Sequence, residues 1–346
     1  MSLSTDIAAF IKAHKKVTTS ELVERFGFSR QYIVRFLRKL VEERKVLKVG
    51  STRGAFYTLP EYLVLFAEHK VHRRFSNDKV QEHEVMEDVF AASPAFARLP
   101  ENVRSILRYT FSEMLNNAIE HSESENIEVS VFKEGSTINF IVDDFGVGVF
   151  RNVMSKHELK SEIEAVQDLL KGKTTTKPKA HSGEGIFFSS KAGDRFILES
   201  FGLRLVVDNV IDDVFVEEPK RSKKGTRVIF TVNAESKRHL SDLFRRYQSN
   251  PETLAFDRTK IMVKLFTIGT VHVSRSQARR IVTGLEKFKD IVLDFDRVPT
   301  VGQAFADEVF RVFQNGHPNI EITPVNMNEA VRFMIERVER APRENV

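Results

Sequence analysis

The chain has 346 residues, 41% of them hydrophobic, and it contains no cysteine. This length allows two or three globular domains, and the absence of cysteine excludes disulfides, a thiolate metal site and a cysteine nucleophile. The N-terminus lacks a basic-then-apolar signal pattern and no apolar run approaches membrane-spanning length, so we expect a cytoplasmic protein.

The net charge of +5 is distributed unevenly. Residues 1–60 contain twelve Lys and Arg residues against five Asp and Glu residues, which gives +7, whereas the other 286 residues together carry −2. A basic segment of this kind is typical of nucleic-acid binding. We therefore expect residues 1–60 to bind duplex DNA.

Residues 1–60 resemble a winged helix-turn-helix, with three helices followed by a hairpin. A capping box at Thr18–Glu21 begins the second helix, and Ser29 is the N-cap of the third. Apolar residues at helical spacing from Ile33 leave a basic face on the third helix, and the first residues of a recognition helix contact base edges. A domain used only for protein contacts is the alternative. The candidate DNA-binding residues are Arg30, Gln31, Tyr32 and Arg35 on the helix and Arg53 at the hairpin tip.

A first motif lies on a predicted helix between Glu113 and His121. Seven apolar or small residues from Ile106 to Ala118 recur at helical spacing, and Glu113 and Asn117 lie on one face because they are four residues apart. A carboxylate can accept a proton from water, and an amide oxygen is a suitable Mg²⁺ ligand. Taken alone, the pattern also fits an ordinary amphipathic helix with a solvated polar face.

A second motif, Asp143-Asp-Phe-Gly-Val-Gly148, follows a predicted strand at residues 137–142. Glycines at 146 and 148 allow the backbone to approach a ligand, and the Asp144 carboxylate can accept a hydrogen bond from an exocyclic amine. An ordinary turn after a strand is the alternative interpretation.

A third motif, Ser182-Gly-Glu-Gly185, precedes a predicted helix at residues 186–191, whose N-terminal amides can bind phosphate. The polar segment before it contains Lys173 and Thr174, which can close over phosphates; a flexible surface loop is the alternative. Residues 219–225 form a basic turn that we expect to be solvated, and a strand with Thr226 near its start follows.

In this order, the three motifs resemble the N, G1 and G2 boxes of the GHKL (Bergerat-fold) ATPases. That family includes type II topoisomerases, heat-shock chaperones, MutL-type repair proteins, histidine kinases and anti-sigma-factor kinases. The resemblance implies an α/β sandwich that binds ATP and Mg²⁺, with Glu113 as general base, Asn117 as Mg²⁺ ligand and Asp144 as reader of the adenine amino group. It further implies a nucleotide-binding role for Gly146, Gly148, Lys173, Thr174, Gly183, Gly185 and Thr226.

From about residue 256 onward, predicted strands alternate with helices, the first of which begins at a capping box of Ser274 and Gln277. This alternation favours a parallel or mixed sheet. The segment from Leu293 to Phe305 resembles a divergent STAS domain, the fold of anti-anti-sigma factors. That pattern places Ala304 where a phosphorylated serine falls, and alanine has no hydroxyl. We therefore expect this tail to bind a protein partner or a second copy of the chain, and not to accept a phosphoryl group.

Together these features predict an α+β multidomain protein: a winged helix (1–60), a helical linker (61–100), a GHKL domain (101–250) and a STAS-like domain (256–346). The expected function is that of an ATP-binding, slowly hydrolysing, DNA-associated regulator whose nucleotide state controls its lid, dimer or domain arrangement. A homodimer is expected by analogy with GHKL proteins. A GHKL-type protein kinase acting on serine, threonine or histidine, an idle nucleotide sensor and an ATP-gated DNA clamp are the alternatives.

Overall fold

The computed structural model describes residues 3–43, 45–49, 55–60, 62, 68–78, 80–174, 183–219, 221–249, 255–266 and 274–340. These residues form an α+β protein with three hydrophobic clusters, one for each of three sheets. Within these ranges no helix combines the length and the apolar character needed to cross a membrane.

The N-terminal part packs three helices on a small antiparallel sheet of order β1-β3-β2. The predicted capping box is confirmed, because Thr18 and Glu21 each accept the other's backbone N–H. The predicted hairpin is formed by β2 and β3, and its tip, with Arg53, lies outside the described residues. The elements are α1 Leu3–His14, β1 Lys16–Thr18, α2 Thr19–Phe26, α3 Arg30–Glu42, β2 Leu47–Val49 and β3 Phe56–Thr58.

The middle part is a seven-stranded antiparallel sheet of order β4-β5-β6-β10-β7-β8-β9 with helices packed against it. Its elements are β4 Glu68–Ser76, α4 Glu82–Ala91, α5 Pro94–Ala97, α6 Glu101–His121, β5 Asn126–Glu134, β6 Thr137–Asp144, α7 Val149–Lys156, α8 Glu162–Lys171, α9 Gly185–Ala192, β7 Arg195–Phe201, β8 Leu203–Asp208, β9 Asp213–Glu217 and β10 Lys223–Asn233.

Helix α6 lies against the centre of this sheet, and every residue of its predicted apolar stripe is buried. Phe111 meets Phe140 of β6 edge-on at 5.4 Å, and Phe140 stacks on Phe230 of β10 at 5.0 Å. The buried stripe fixes the rotation of the helix, and with it the positions of Glu113 and Asn117.

The structure differs from the expected helical linker at residues 61–100. Strand β4 is an edge strand paired with β5, and Val71, Val89 and Phe96 belong to the same core as α6. The strand was not predicted because it lacks an apolar–polar alternation: Arg73 and Arg74, whose side chains point to opposite faces, are both charged and exposed. Charged outward residues are typical of edge strands, which they protect from further pairing.

The C-terminal part is built on a three-stranded parallel sheet, which confirms the expectation of a parallel or mixed sheet. A capping box of Ser274 and Gln277 begins α11, as predicted. The elements are α10 Leu240–Arg246, β11 Arg258–Met262, a 3₁₀ turn Val263–Phe266, α11 Arg275–Val282, a second 3₁₀ turn Leu285–Lys287, β12 Asp290–Asp294, α12 Gln303–Asp307, a π-helical turn Glu308–Phe313, α13 Gln314–Gly316, β13 Glu321–Val325 and α14 Glu329–Glu339.

Candidate functional site

A cavity of about 320 Å³ opens between α6, the end of β6, the start of α7 and the start of α9. A volume of this size suits a small-molecule ligand. Its wall includes apolar residues such as Val142, Leu169 and Val228. Eight of the ten predicted nucleotide-site residues line it: Glu113, Asn117, Asp144, Gly148, Thr174, Gly183, Gly185 and Thr226.

Asp144 is fixed in one wall of the cavity and is only 4% exposed. Its Oδ1 accepts the backbone N–H groups of Gly146 and Thr226, each at 3.0 Å. Burial raises the pKa of Asp144, although these two N–H donors and Lys223 act in the opposite direction. The carboxylate is therefore held in one orientation by the protein before any ligand binds.

Lys223 supports this wall from behind and is not solvated, contrary to the expectation for residues 219–225. It is 10% exposed, its Nζ lies 2.9 Å from Asp143 Oδ1, and it donates to the Asp144 carbonyl. Arg227 binds the other Asp143 oxygen at 2.6 Å. This network has no signature in the sequence, because its two lysine–aspartate contacts join residues about eighty positions apart and exist only once β6 and β10 pair.

Gly146 does not line the cavity, contrary to its predicted role. A Cβ at this position would collide with the backbone of Ser122, just beyond the end of α6. Val147 N donates to the Ser122 carbonyl at 2.8 Å. Gly146 therefore allows the second motif to pack on the end of the helix that carries the first.

The first and third motifs meet at Glu113. A Cβ at Gly185 would collide with Glu113 Oε2, so a larger residue at the start of α9 would displace this carboxylate. Asn117 is one helical turn away, and its Nδ2 is buried without a hydrogen-bond partner in the described part of the chain. The site therefore offers a carboxylate and an unsatisfied amide to a ligand.

Glu184, which was not predicted as a site residue, also lines the cavity. Burial raises the pKa of Tyr109, and the Glu113 and Glu184 carboxylates act in the same direction, which places both near the phenol. The available signal was the position of Glu184 between two glycines of the third motif.

Residues 175–182, which include Ser182 of the third motif, lie outside the described residues. The backbone on either side of them is held in place. Thr174 N donates to the Gly183 carbonyl at 3.1 Å, and Thr174 Oγ1 donates to the Asp168 carbonyl at 2.9 Å. Gly183 has φ +75°, and a Cβ there would collide with the Thr174 backbone. This contact closes the base of the segment at the cavity wall.

Lys173 contacts the C-terminal domain instead of the cavity, contrary to its predicted role. Its Nζ donates to the Lys287 carbonyl at 2.9 Å and lies 4.9 Å from the ring centroid of Phe288. Lys171, only 5% exposed, donates to the carbonyls of Arg280 and Thr283 at 2.8 and 2.7 Å. The last carbonyls of a helix lack partners within it, so a cation at the end of α11 is well placed.

Helix α9 joins the cavity to the C-terminal domain. Its first residue lines the cavity, whereas Phe187 and Phe188 belong to the hydrophobic cluster of the C-terminal domain. The ring centroid of Phe256 lies 4.7 Å from that of Phe187 and 4.8 Å from that of Phe188. Thr259 Oγ1 donates to the Lys171 carbonyl at 2.8 Å, so the end of α8 is attached to the same domain.

The candidate DNA-binding residues Arg30, Gln31, Tyr32 and Arg35 are all exposed on α3. Tyr32 packs between Phe28 and Phe36, with each pair of ring centroids 5.0 Å apart. The structure thus brings four of the five predicted residues onto one helix.

Residues 277–332 match a family model described as a STAS-like domain of unknown function (DUF4325), so the C-terminal domain is STAS-like. A search of curated proteins finds no match. Among solved structures, a crystal structure of a candidate ICLR transcriptional regulator from Silicibacter sp. TM1040 is 12% identical and covers 70% of this chain and 92% of that chain. The TM-score of 0.15 is too low to indicate a shared fold. The molecule is therefore an α+β multidomain protein with a STAS-like C-terminal domain.

Proposed function

We propose that this protein is an ATPase of the GHKL type that binds ATP and Mg²⁺ in the 320 Å³ cavity, hydrolyses ATP slowly and acts as a DNA-associated regulator. The observation that carries the proposal is the convergence of three motifs, spread over about seventy residues of sequence, on one cavity. The unpartnered Asn117 Nδ2 can donate to a phosphate oxygen, and the amide oxygen of the same side chain, in the cavity that Glu113 also lines, is a suitable Mg²⁺ ligand.

Asp144 would accept a hydrogen bond from the adenine amino group, since its carboxylate is already oriented by the N–H groups of Gly146 and Thr226. Asn117 would hold Mg²⁺ through its amide oxygen. The described residues contain no cluster of three or more His, Asp or Glu side chains suited to a metal, so phosphate oxygens and water would complete the coordination shell. Bound Mg²⁺ supplies neutralisation of phosphate charge. Glu113 would accept the proton of the attacking water.

A change at the nucleotide site can be transmitted to the C-terminal domain through two elements that contact it. Helix α9 is packed on the C-terminal domain, and the residues that lead into the 175–182 segment are bonded to it through Lys171 and Lys173. A rearrangement around the phosphates would therefore alter contacts of the STAS-like domain. This supports a regulator in which nucleotide binding changes the arrangement of domains.

The test compares Asp144→Asn with Glu113→Gln. Asp144→Asn should weaken ATP binding about tenfold or more, because a hydrogen bond to a charged group contributes about 1.5–3 kcal/mol. Glu113→Gln should retain ATP binding while phosphate release falls about 10²–10⁴-fold. Asp208→Asn, at the end of β8 and away from the cavity, serves as the control. Unchanged ATP affinity in Asp144→Asn would refute the site assignment.

A second observation favours DNA binding by the N-terminal part, namely the exposed basic face of α3 in a segment of charge +7. Affinity for a duplex should fall steeply as salt rises, because bound counterions are released from the phosphates. In the full chain, Arg35→Ala should weaken binding more than Lys12→Ala, which removes the same charge from α1. Equal effects would mean that net charge alone attracts the DNA, and no binding at low salt would make this part a protein-interaction module.

A further inference from the structure

A second cavity, of about 610 Å³, lies at the opposite end of α9 from the candidate nucleotide site. Lys191 and Ala192 at the end of α9 line this cavity, whereas Gly185 at the start of the same helix lines the first one. The connection between β8 and β9, helix α10 and strand β11 complete the wall. The cavity is therefore shared by the middle part of the chain and the C-terminal domain.

The wall of the second cavity has a substantial apolar portion. Its side chains come from α6, α8, β8, α10, β11 and the 3₁₀ turn after β11, and they would accommodate a hydrocarbon chain or ring. The apolar lining includes Ile106, Leu170, Val207, Leu243, Ile261 and Phe266.

Three cations on the wall lack an acidic partner among the residues that the structure describes: Lys191, Lys237 and Arg246. Lys191 Nζ instead lies 4.7 Å from the ring centroid of Phe187 and 5.7 Å from that of Tyr247. Ammonium and guanidinium groups that no carboxylate neutralises attract an anion.

The carboxylates of the same wall are already paired, so they do not cancel this charge. Each of three aspartates has a cation close by. The nitrogen–oxygen distances are 2.6 Å for Lys264 with Asp213, 3.3 Å for Arg245 with Asp242 and 3.6 Å for Lys260 with Asp212. Lys260 also lies 2.9 Å from Asp294, which is outside the wall. The uncompensated charge that faces the cavity is therefore positive.

We propose that this cavity binds a small organic anion, with a carboxylate or phosphate group bound by Lys191 and Arg246 and a hydrocarbon part on the apolar lining. Neither the nucleotide site nor the DNA-binding surface includes any of these residues. The proposal does not rest on the proposed ATPase function, because it concerns a separate cavity with its own lining.

The ligand would act on α9 through the residues that cap the end of this helix. Asn209, in the cavity wall, donates to the carbonyls of Ser190 and Gly193 at 2.8 and 2.9 Å. Arg238, also in the wall, donates to the Gly193 carbonyl and to the Asn209 carbonyl. A bound anion therefore contacts the cap of a helix whose other end lines the first cavity, which makes the second cavity a regulatory site.

The test uses 8-anilinonaphthalene-1-sulfonate, an aromatic anion, titrated into the full-length protein and followed by its fluorescence. Arg246→Gln should weaken binding of this probe about tenfold, as expected for one charge-assisted hydrogen bond. Lys191→Gln should act similarly. Arg332→Gln is the matched control, because this exposed arginine of α14 does not line the cavity and should leave the affinity unchanged.

Displacement of the probe by phenyl phosphate or by benzoate shows which oxyanion the site prefers, and either result supports the proposal. Arg246 is exposed and makes no ion pair within the described ranges, so its variant should unfold at the wild-type temperature. Wild-type affinity in both Arg246→Gln and Lys191→Gln, or an equal loss in Arg332→Gln, would overturn the proposal.

Discussion

Replacing Phe256 by alanine tests whether the STAS-like domain and the candidate nucleotide cavity act as one unit. The ring of Phe256 is 5% exposed and packs on Phe187, Phe188 and Phe288, with centroid distances of 4.7, 4.8 and 5.3 Å. Truncation of a buried phenylalanine to alanine costs about 3–5 kcal/mol, which includes the lost contacts and the cavity left behind. We expect the free energy of unfolding in urea to fall by that amount.

The same variant should weaken ATP binding, measured by isothermal titration. Phe187 and Phe188 lie on α9, whose first residue, Gly185, faces Glu113 in the cavity. Relaxation of α9 into the space left by the ring would shift this glycine. A tenfold loss of affinity requires only about 1.4 kcal/mol, a fraction of the packing energy removed.

Phe96→Ala is the matched control for general loss of stability. Phe96 is also 5% exposed and stacks on Phe90 at 4.0 Å, but it belongs to the core of the middle part and not to the C-terminal cluster. It should lower the free energy of unfolding similarly and leave ATP affinity unchanged. Wild-type ATP affinity in Phe256→Ala, or the same loss in both variants, would refute the reasoning.

Three further predictions concern hydrolysis, pH dependence and phosphoryl transfer. Gly185→Ala places a methyl group against the Glu113 carboxylate, so phosphate release should fall about tenfold or more; a normal rate would contradict this contact. Burial lowers the pKa of Lys171 from 10.5 to about 8. Between pH 8 and 10.5 the unfolded chain therefore binds more protons than the folded chain, so the free energy of unfolding rises with pH. Measured by urea unfolding, the wild-type protein should gain about 3 kcal/mol relative to Lys171→Met over this pH range, and a constant difference would refute this prediction. Incubation with labelled ATP should release phosphate and leave no stable label on residues 256–346, because Ala304 has no hydroxyl; label there would indicate a kinase.

Features governed by neighbouring residues were predicted well from the sequence. The buried stripe of α6, the capping boxes at Thr18 and Ser274 and the N-cap at Ser29 agree with the structure. Periodicity and capping depend on residues three or four positions apart, so a single sequence contains the information. The three motifs were found for a similar reason, because each is a short run of residues with a required chemistry.

Features governed by distant partners were not predicted. Strand β4 is identified by its pairing with β5, and the structural role of Lys223 by its ion pair with Asp143, which lies on another strand. Lys173 has a side chain that suits a phosphate ligand, but its Nζ donates to the Lys287 carbonyl of the C-terminal domain. A lysine ammonium can donate a hydrogen bond to an anion or to an unpaired carbonyl, and sequence spacing does not show which acceptor the fold places beside it.

The two walls of the candidate nucleotide cavity are held by different parts of the molecule. The Asp144 wall is fixed within the seven-stranded sheet by Thr226 and Lys223, whereas the residues just before the 175–182 segment are attached to the STAS-like domain through Lys173. Lys223→Met should therefore weaken adenine nucleotide affinity, because the Asp144 backbone loses its support. Lys173→Met should instead lower kcat, by about tenfold for one lost charge-assisted hydrogen bond, while affinity for ADP stays near that of wild type. Parallel titrations and phosphate-release assays on both variants distinguish the two walls. If both variants lose affinity and kcat in the same proportion, the cavity responds as a single body and the STAS-like domain has no separate control over hydrolysis.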